Sequence, residues 1–227
     1  MFQSRKDVGR SSFALVKADF GSTALLPYRS VAGTLAPALR FSLPRVKMLP
    51  GVKNSHMGNF VHLYFGDGKG KTTAAMGLAL RALGRGKKVC CAQFLKGGES
   101  GEITALKTFP GFELIPPPKT LKFVFQMTPE EKAICRGQCG QMLALAARRA
   151  KNCDVLILDE LCAALRCDMV SEADALALID AAPCGDIVIT GRDPLDSLLQ
   201  RADYASELRC VRHPYDKGVA AREGIEF

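Results

Sequence analysis

A short apolar stretch, Val61-His62-Leu63-Tyr64, runs directly into Phe65-Gly66-Asp67-Gly68-Lys69-Gly70-Lys71-Thr72-Thr73, and this junction constrains the fold more than any other feature of the chain. Three glycines within five residues let the backbone turn tightly and aim successive N–H groups at one point, and a helix beginning near Lys71 adds its positive end to the same point. The spacing predicts strand, anion-binding loop and helix. Lys71 then supplies a point charge on terminal phosphates and Thr72 a hydroxyl for Mg²⁺. Gly66, Asp67, Gly68, Lys69, Gly70, Lys71, Thr72 and Thr73 are the candidate nucleotide-binding residues. Phe65 stands where the usual G-x-x-x-x-G-K-[ST] pattern has its first glycine, so the loop effectively begins at Gly66.

Strand and helix patterns alternate from Phe60 onward. Lys71 to Leu83 is rich in Ala, Leu and Met and stops at Gly84-Arg85-Gly86, as a helix should. Lys88 to Phe94 is a near-continuous apolar run suited to a strand covered on both faces. A flexible loop, Lys96 to Gly101, follows, then a short helix through Leu106, a strand at Phe112 to Ile115 and the breaker Pro116-Pro117-Pro118. Thr128-Pro129-Glu130-Glu131 opens a helix running to about Asn152, with the cap residue, first-position proline and acids that helix starts favour. Val155 to Leu158 is a buried strand, Ser171 opens another helix, Asp186 to Thr190 is a strand, Leu195 to Ala202 a helix and Tyr204 to Arg212 a last strand. This alternation predicts a three-layer α/β fold, P-loop NTPase-like, with a mostly parallel central sheet whose carboxyl edge carries the site. The glycine loop, Asp159-Glu160 and Gly191-Arg192 all fall on that edge.

The net charge of +8 would suggest a nucleic-acid partner if it were spread over the fold. Residues 1–56 instead hold nine Lys and Arg against Asp7 and Asp19, seven of the eight charges. That segment lacks a sustained helical or strand period and reads as a disordered extension or a gene-model artefact preceding Met57-Gly58, with an organelle-targeting segment as the other reading. Residues 57–227 are near neutral and form the domain. Nine cysteines without a C-x-x-C indicate neither zinc nor a disulfide framework, and several sit in apolar strand patterns, pointing to a reducing cytoplasm. No apolar run reaches the about 18 to 20 residues of a membrane helix. Neither a nucleic acid nor a membrane is an expected partner.

Asp159-Glu160, delivered after four aliphatic residues, has the form of an acidic strand end that binds Mg²⁺ directly or through water. Arg192 is a forked cation suited to phosphate oxygens, or else a surface ion-pair partner of Asp193. Lys96 is a second phosphate or substrate contact, or a solvated loop lysine. Such loops serve kinases, hydrolases and transferases alike, so the loop alone does not name a reaction.

Taken in order, Tyr64 to Ala75, Gln93-Phe94-Leu95-Lys96-Gly97, Leu158-Asp159-Glu160-Leu161, Ile189-Thr190-Gly191-Arg192, Ser206-Glu207-Leu208 and the tail His213 to Phe227 resemble the ATP:corrinoid adenosyltransferases of the CobA/CobO/BtuR type. The resemblance implies transfer of the 5′-deoxyadenosyl group of ATP to the Co(I) of a reduced corrinoid, with triphosphate released. It implies ATP and a corrinoid as substrates, Mg²⁺ (or Mn²⁺) held by Thr72 and Glu160, a flavoprotein as reductant, and a homodimer. Lys71, Glu160 and Arg192 take the catalytic positions. Phe123 and Phe125, in Leu121 to Met127, correspond to the aromatic pair that displaces the lower axial ligand of cobalt. The family often has Phe-x-Trp there and this chain has no Trp; strand residues packed into a core are the other reading of the alternation. The competing functions are an ordinary P-loop NTPase or nucleoside kinase, and a nucleic-acid-binding protein acting through its basic segment.

Overall fold

The computed structural model describes residues 59–96, 100–117 and 122–226. The basic extension 1–56, Met57-Gly58, residues 97–99 of the glycine-bearing loop, residues 118–121 and Phe227 lie outside the described residues.

Among the described residues six strands and six helices follow one another, alternating except where α4 leads directly to α5: β1 (Phe60–Phe65), α1 (Lys71–Leu83), β2 (Val89–Gln93), α2 (Gly101–Leu106), β3 (Phe112–Ile115), α3 (Pro129–Arg149), β4 (Val155–Asp159), α4 (Leu161–Arg166), α5 (Glu172–Ala181), β5 (Asp186–Gly191), α6 (Asp196–Arg201) and β6 (Tyr204–Glu207). The strands form one sheet in the order β3-β2-β4-β5-β1-β6, and each pairing is parallel. The expected mostly parallel sheet is thus parallel throughout.

Strand periodicity sorts the core into two layers. Val61, Leu63, Cys90, Ala92, Leu156, Leu158, Ile187 and Ile189 face one side, against residues of α3, α4 and α5. Val89, Cys91, Val155, Ile157 and Val188 face the other, against Ala75, Met76, Ala79 and Leu83 of α1 and Ile103 and Leu106 of α2. Burial on both faces is why β2 and β4 read as unbroken apolar runs. Leu156, Ile157 and Leu158 are fully buried, each contributing roughly 1.5–3 kcal/mol by leaving water.

Local signals fix several element ends. Thr128 Oγ1 accepts from the Glu131 N–H at 3.2 Å and the Glu131 carboxylate accepts from the Thr128 N–H at 2.9 Å, a capping box worth about 1 kcal/mol. The helix it opens, α3, yields to a 3₁₀ turn at Ala150–Asn152. Two elements depart from the sequence reading. Helix α4 has no sequence forecast, because Leu161, Cys162, Ala164 and Leu165 are buried and a short helix covered nearly all round shows no amphipathic stripe. The last strand ends at Glu207 rather than Arg212, since Leu208 leaves the ladder to bond with the glycine loop. Among the described residues no helix is long and apolar enough to cross a membrane.

Candidate active site

The carboxyl ends of β1, β2, β4 and β5 meet at the glycine loop. Gly66 and Gly70 hold φ of 111° and 110°, backbone that side chains rarely adopt. A Cβ on Gly66 would stand 2.4 Å from the Leu208 carbonyl oxygen, and one on Gly68 2.7 Å from it. These two glycines are therefore demanded by the chain crossing the loop as well as by any ligand. The Leu208 N–H donates to the Phe65 carbonyl at 2.7 Å, and its own carbonyl accepts from the Gly68 N–H at 2.7 Å. Gly68 has thus already committed its amide, and the loop's free donors begin after it, with the first-turn N–H groups of α1, which have no intrahelical acceptor.

Lys71 is buried and its Nζ donates to the Gly68 carbonyl at 2.8 Å, so the ammonium lies along the inner wall of its own loop. Burial pushes its pKa down, with the neighbouring Glu160 acting against that shift. Asp67 accepts from the Cys210 N–H at 2.9 Å, and that bond holds its carboxyl below the usual range. Lys69 turns outward: its Nζ donates to the Ile225 carbonyl at 2.6 Å and the Glu226 carboxylate at 2.9 Å. Arg222 closes on Glu226 as well, and Arg222 first, then Lys69, holds the Glu226 carboxyl down to about 2. The carboxyl-terminal segment is in this way strapped across the loop.

Asp159 is the hub of the site. It is fully buried, with Oδ1 accepting from Thr72 Oγ1 at 3.0 Å and Thr190 Oγ1 at 2.6 Å, and Oδ2 from Gln93 Nε2 at 3.0 Å and Lys96 Nζ at 2.6 Å. Lys96 Nζ also donates to Thr72 Oγ1 at 2.7 Å. Lys96 is therefore tied to the network, which removes the solvated-loop reading. Glu160, next in the chain, has φ 59°, and its N–H donates to Thr190 Oγ1 at 2.9 Å. Burial first, and the Asp159 charge second, push the Glu160 carboxyl above its ordinary value. Gly191 lets β5 end against α4, since a Cβ there would lie 2.4 Å from that of Cys162; Arg192 follows it onto the site.

Two cavities share this edge. One, of about 880 Å³, contains the glycine loop, and the carboxyl-terminal residues Tyr215 and Glu226 form part of its wall. The other, of about 810 Å³, is lined by Phe123, Phe125, Lys132, Arg136 and Met169. Lys96, Glu160 and Arg192 line both. Phe123 and Phe125 are 69% and 79% exposed and stack with ring centres 5.4 Å apart at 15°. They flank and enter a 3₁₀ turn, Val124–Gln126, and the core-strand reading of them does not hold.

Among the described residues no three His, Cys, Asp or Glu side chains are grouped to hold a metal by themselves. The Thr72 hydroxyl with the Asp159 and Glu160 carboxylates is an all-oxygen set at the loop, suited to a small hard cation that takes its other ligands from phosphate and water. The residue reading of the sequence missed Lys96 as a partner of Asp159 and the tail as a wall. Asp159 itself carried the one available signal, its place after four buried aliphatics.

The sequence model of the ATP:corrinoid adenosyltransferase BtuR/CobO/CobP family matches residues 58–227. The chain is 35% identical over 167 residues to the corrinoid adenosyltransferase of Escherichia coli, spanning 73% of this chain and 84% of that protein. It is 34% identical over 169 residues to the corrinoid adenosyltransferase CobA of Salmonella typhimurium, spanning 73% and 84%. It is 31% identical over 167 residues to the corrinoid adenosyltransferase of Pseudomonas aeruginosa, spanning 73% and 82%.

Proposed function

The chain belongs to the ATP:corrinoid adenosyltransferase family, and from that premise we propose that it moves the 5′-deoxyadenosyl group of ATP onto the Co(I) of a reduced corrinoid, in adenosylcobalamin biosynthesis or salvage. One observation carries the reading: a phosphate-loop cavity and an aromatic-lined cavity meet at a common wall of Lys96, Glu160 and Arg192. A reaction between ATP and a large flat partner needs two such chambers side by side.

Cobalt attacks the ribose C5′, a Co–C bond forms, the C5′–O bond breaks, and the electron pair leaves with the triphosphate. No protein nucleophile is required. The chain's work is to hold the leaving group and align three atoms, and alignment of that kind is worth about 7–11 kcal/mol at best. Lys71 and the first-turn N–H groups of α1 stabilise charge gathering on the triphosphate, and Arg192 reaches the same oxygens from the shared wall. Thr72 and Glu160 would hold Mg²⁺ or Mn²⁺, which supplies further neutralisation of the triphosphate when bound. Phe123 and Phe125, exposed and stacked at the second cavity, press on the corrin face and keep a lower ligand off cobalt. That favours one-electron reduction of Co(II) by a flavoprotein. The enzyme works in the cytoplasm as a homodimer.

The test is incubation with ATP, a Co(II) corrinoid and a strong reductant, followed by product analysis. A light-sensitive cobalt–carbon product and triphosphate in equal amounts are expected. ADP and phosphate, or a phosphorylated nucleoside, would assign the chain to the ordinary P-loop NTPases or kinases instead.

A further inference from the structure

Phosphate loops hold their divalent cation through the hydroxyl that follows the loop lysine and an acidic residue at the end of a neighbouring strand. Here the hydroxyl is that of Thr72 and the strand end carries Asp159 and Glu160; Thr72 and Asp159 are bonded to each other at 3.0 Å, and a cationic side chain already touches both. Lys96 Nζ is 2.7 Å from Thr72 Oγ1 and 2.6 Å from Asp159 Oδ2. Asp159 is fully buried and takes its other bonds from Thr72, Thr190 and Gln93. Among the described residues Lys96 is thus the one charged donor of its four side-chain partners.

A buried carboxylate without a counter-charge is costly, so Asp159 needs a cation at this spot. Metal-triphosphate brings another, and two cations in contact with the same oxygens repel strongly in a partly dehydrated site. Leu95, immediately before Lys96, has φ 53°, a left-handed turn that a leucine adopts at a cost and that delivers the lysine onto Asp159. The side chain is also partly open to solvent, with 29% of its surface exposed, and lines the second cavity, so it has somewhere to go.

We infer that Lys96 competes with the divalent cation for Thr72 and Asp159: its ammonium neutralises the buried carboxylate, and metal binding displaces it toward the wall shared with the Phe123–Phe125 cavity. Metal loading on one side is thereby signalled as a moved charge on the other. This rests on the divalent-cation site of the proposed function and not on the transfer to cobalt, so binding of the metal alone tests it.

The probe is Mn²⁺ alone, without nucleotide, titrated into the full chain and followed by the paramagnetic signal of the free ion. Lys96→Met and Lys96→Gln are expected to bind Mn²⁺ at least tenfold more tightly than the unaltered protein, with Mn²⁺ raising their melting temperatures more. Lys96→Arg, which keeps the charge, should bind as weakly as the unaltered protein. If Lys96→Met does not fold, Lys96→Gln, whose amide can still donate to Asp159, carries the comparison. Mn²⁺ affinities of the neutral variants equal to or weaker than that of the unaltered protein would overturn the inference, as would equal tightening in Lys96→Arg.

Discussion

At the scale of single residues, the site uses groups whose preferences conflict with their surroundings. Glu160 is the clearest case, because burial and the Asp159 charge raise its carboxyl above the ordinary 4.5. A raised carboxyl disfavours the ionised form in the fold, so stability is lost as pH climbs from the unfolded value through the raised one, and the loss is complete above it. Glu160→Gln removes that penalty. Thermal denaturation should show the variant melting higher than the unaltered protein at about pH 8 and no higher at about pH 4, and equal melting at both would show that the charge is not under strain. The glycines argue in the opposite direction, from space. Gly66→Ala would force a Cβ to within 2.4 Å of the Leu208 oxygen at a φ of 111°, and Gly68→Ala to within 2.7 Å of it. Each is expected to lose about 1–3 kcal/mol, seen as a melting point lower by roughly 2–4 °C per kcal/mol, with Gly66→Ala the worse. A flexible lysine turn with no chain crossing it at Leu208 would tolerate both.

At the scale of elements, the strands were legible because their physics is local. Four aliphatics bounded by polar residues can satisfy both faces of a parallel sheet, and β4 follows from Val155 to Leu158 directly. Elements set by a distant partner were not legible. The course of the chain after Glu207 depends on bonds to Phe65 and Gly68, and the role of Lys96 on a carboxylate 63 residues away. No periodicity records either. The tail follows the same rule: its described residues, 213–226, contribute no side chain to the buried core, yet Lys69, Glu226 and Arg222 fasten it over the loop cavity. Removing residues 213–227 should therefore leave far-ultraviolet circular dichroism and melting nearly unchanged and weaken ATP binding about tenfold or more, the loss of about 1.4 kcal/mol. Calorimetric titration of ATP decides it, and an unaltered affinity would show that the tail covers the loop without contributing to the site.

At the scale of the whole molecule, the parallel sheet delivers two chambers to one edge. The chambers separate two jobs that mutation can divide. With Phe123→Ala and Phe125→Ala together, ATP binding should persist and transfer from preformed Co(I) should be largely kept, whereas transfer that depends on reducing Co(II) with a mild reductant should fall at least tenfold; loss of ATP affinity instead would place the pair with the nucleotide. The charge makes a separate argument. Residues 1–56 hold seven of the eight net positive charges, and the family match begins at residue 58, after the acid-poor stretch ends. The site described above draws every one of its named side chains from residues beyond that boundary. A chain starting at Met57 should accordingly keep its melting temperature and its rate of adenosyl transfer, while losing the salt-sensitive retention on a polyanionic matrix that a basic segment confers. Retention unchanged by the deletion would show that the folded domain carries the polyanion-binding surface, and the near-neutral reading of it would fall. Transfer lost in a shortened chain that still folds and binds ATP would mean that the first 56 residues belong to the catalytic unit, and the boundary at Met57 would have to be withdrawn.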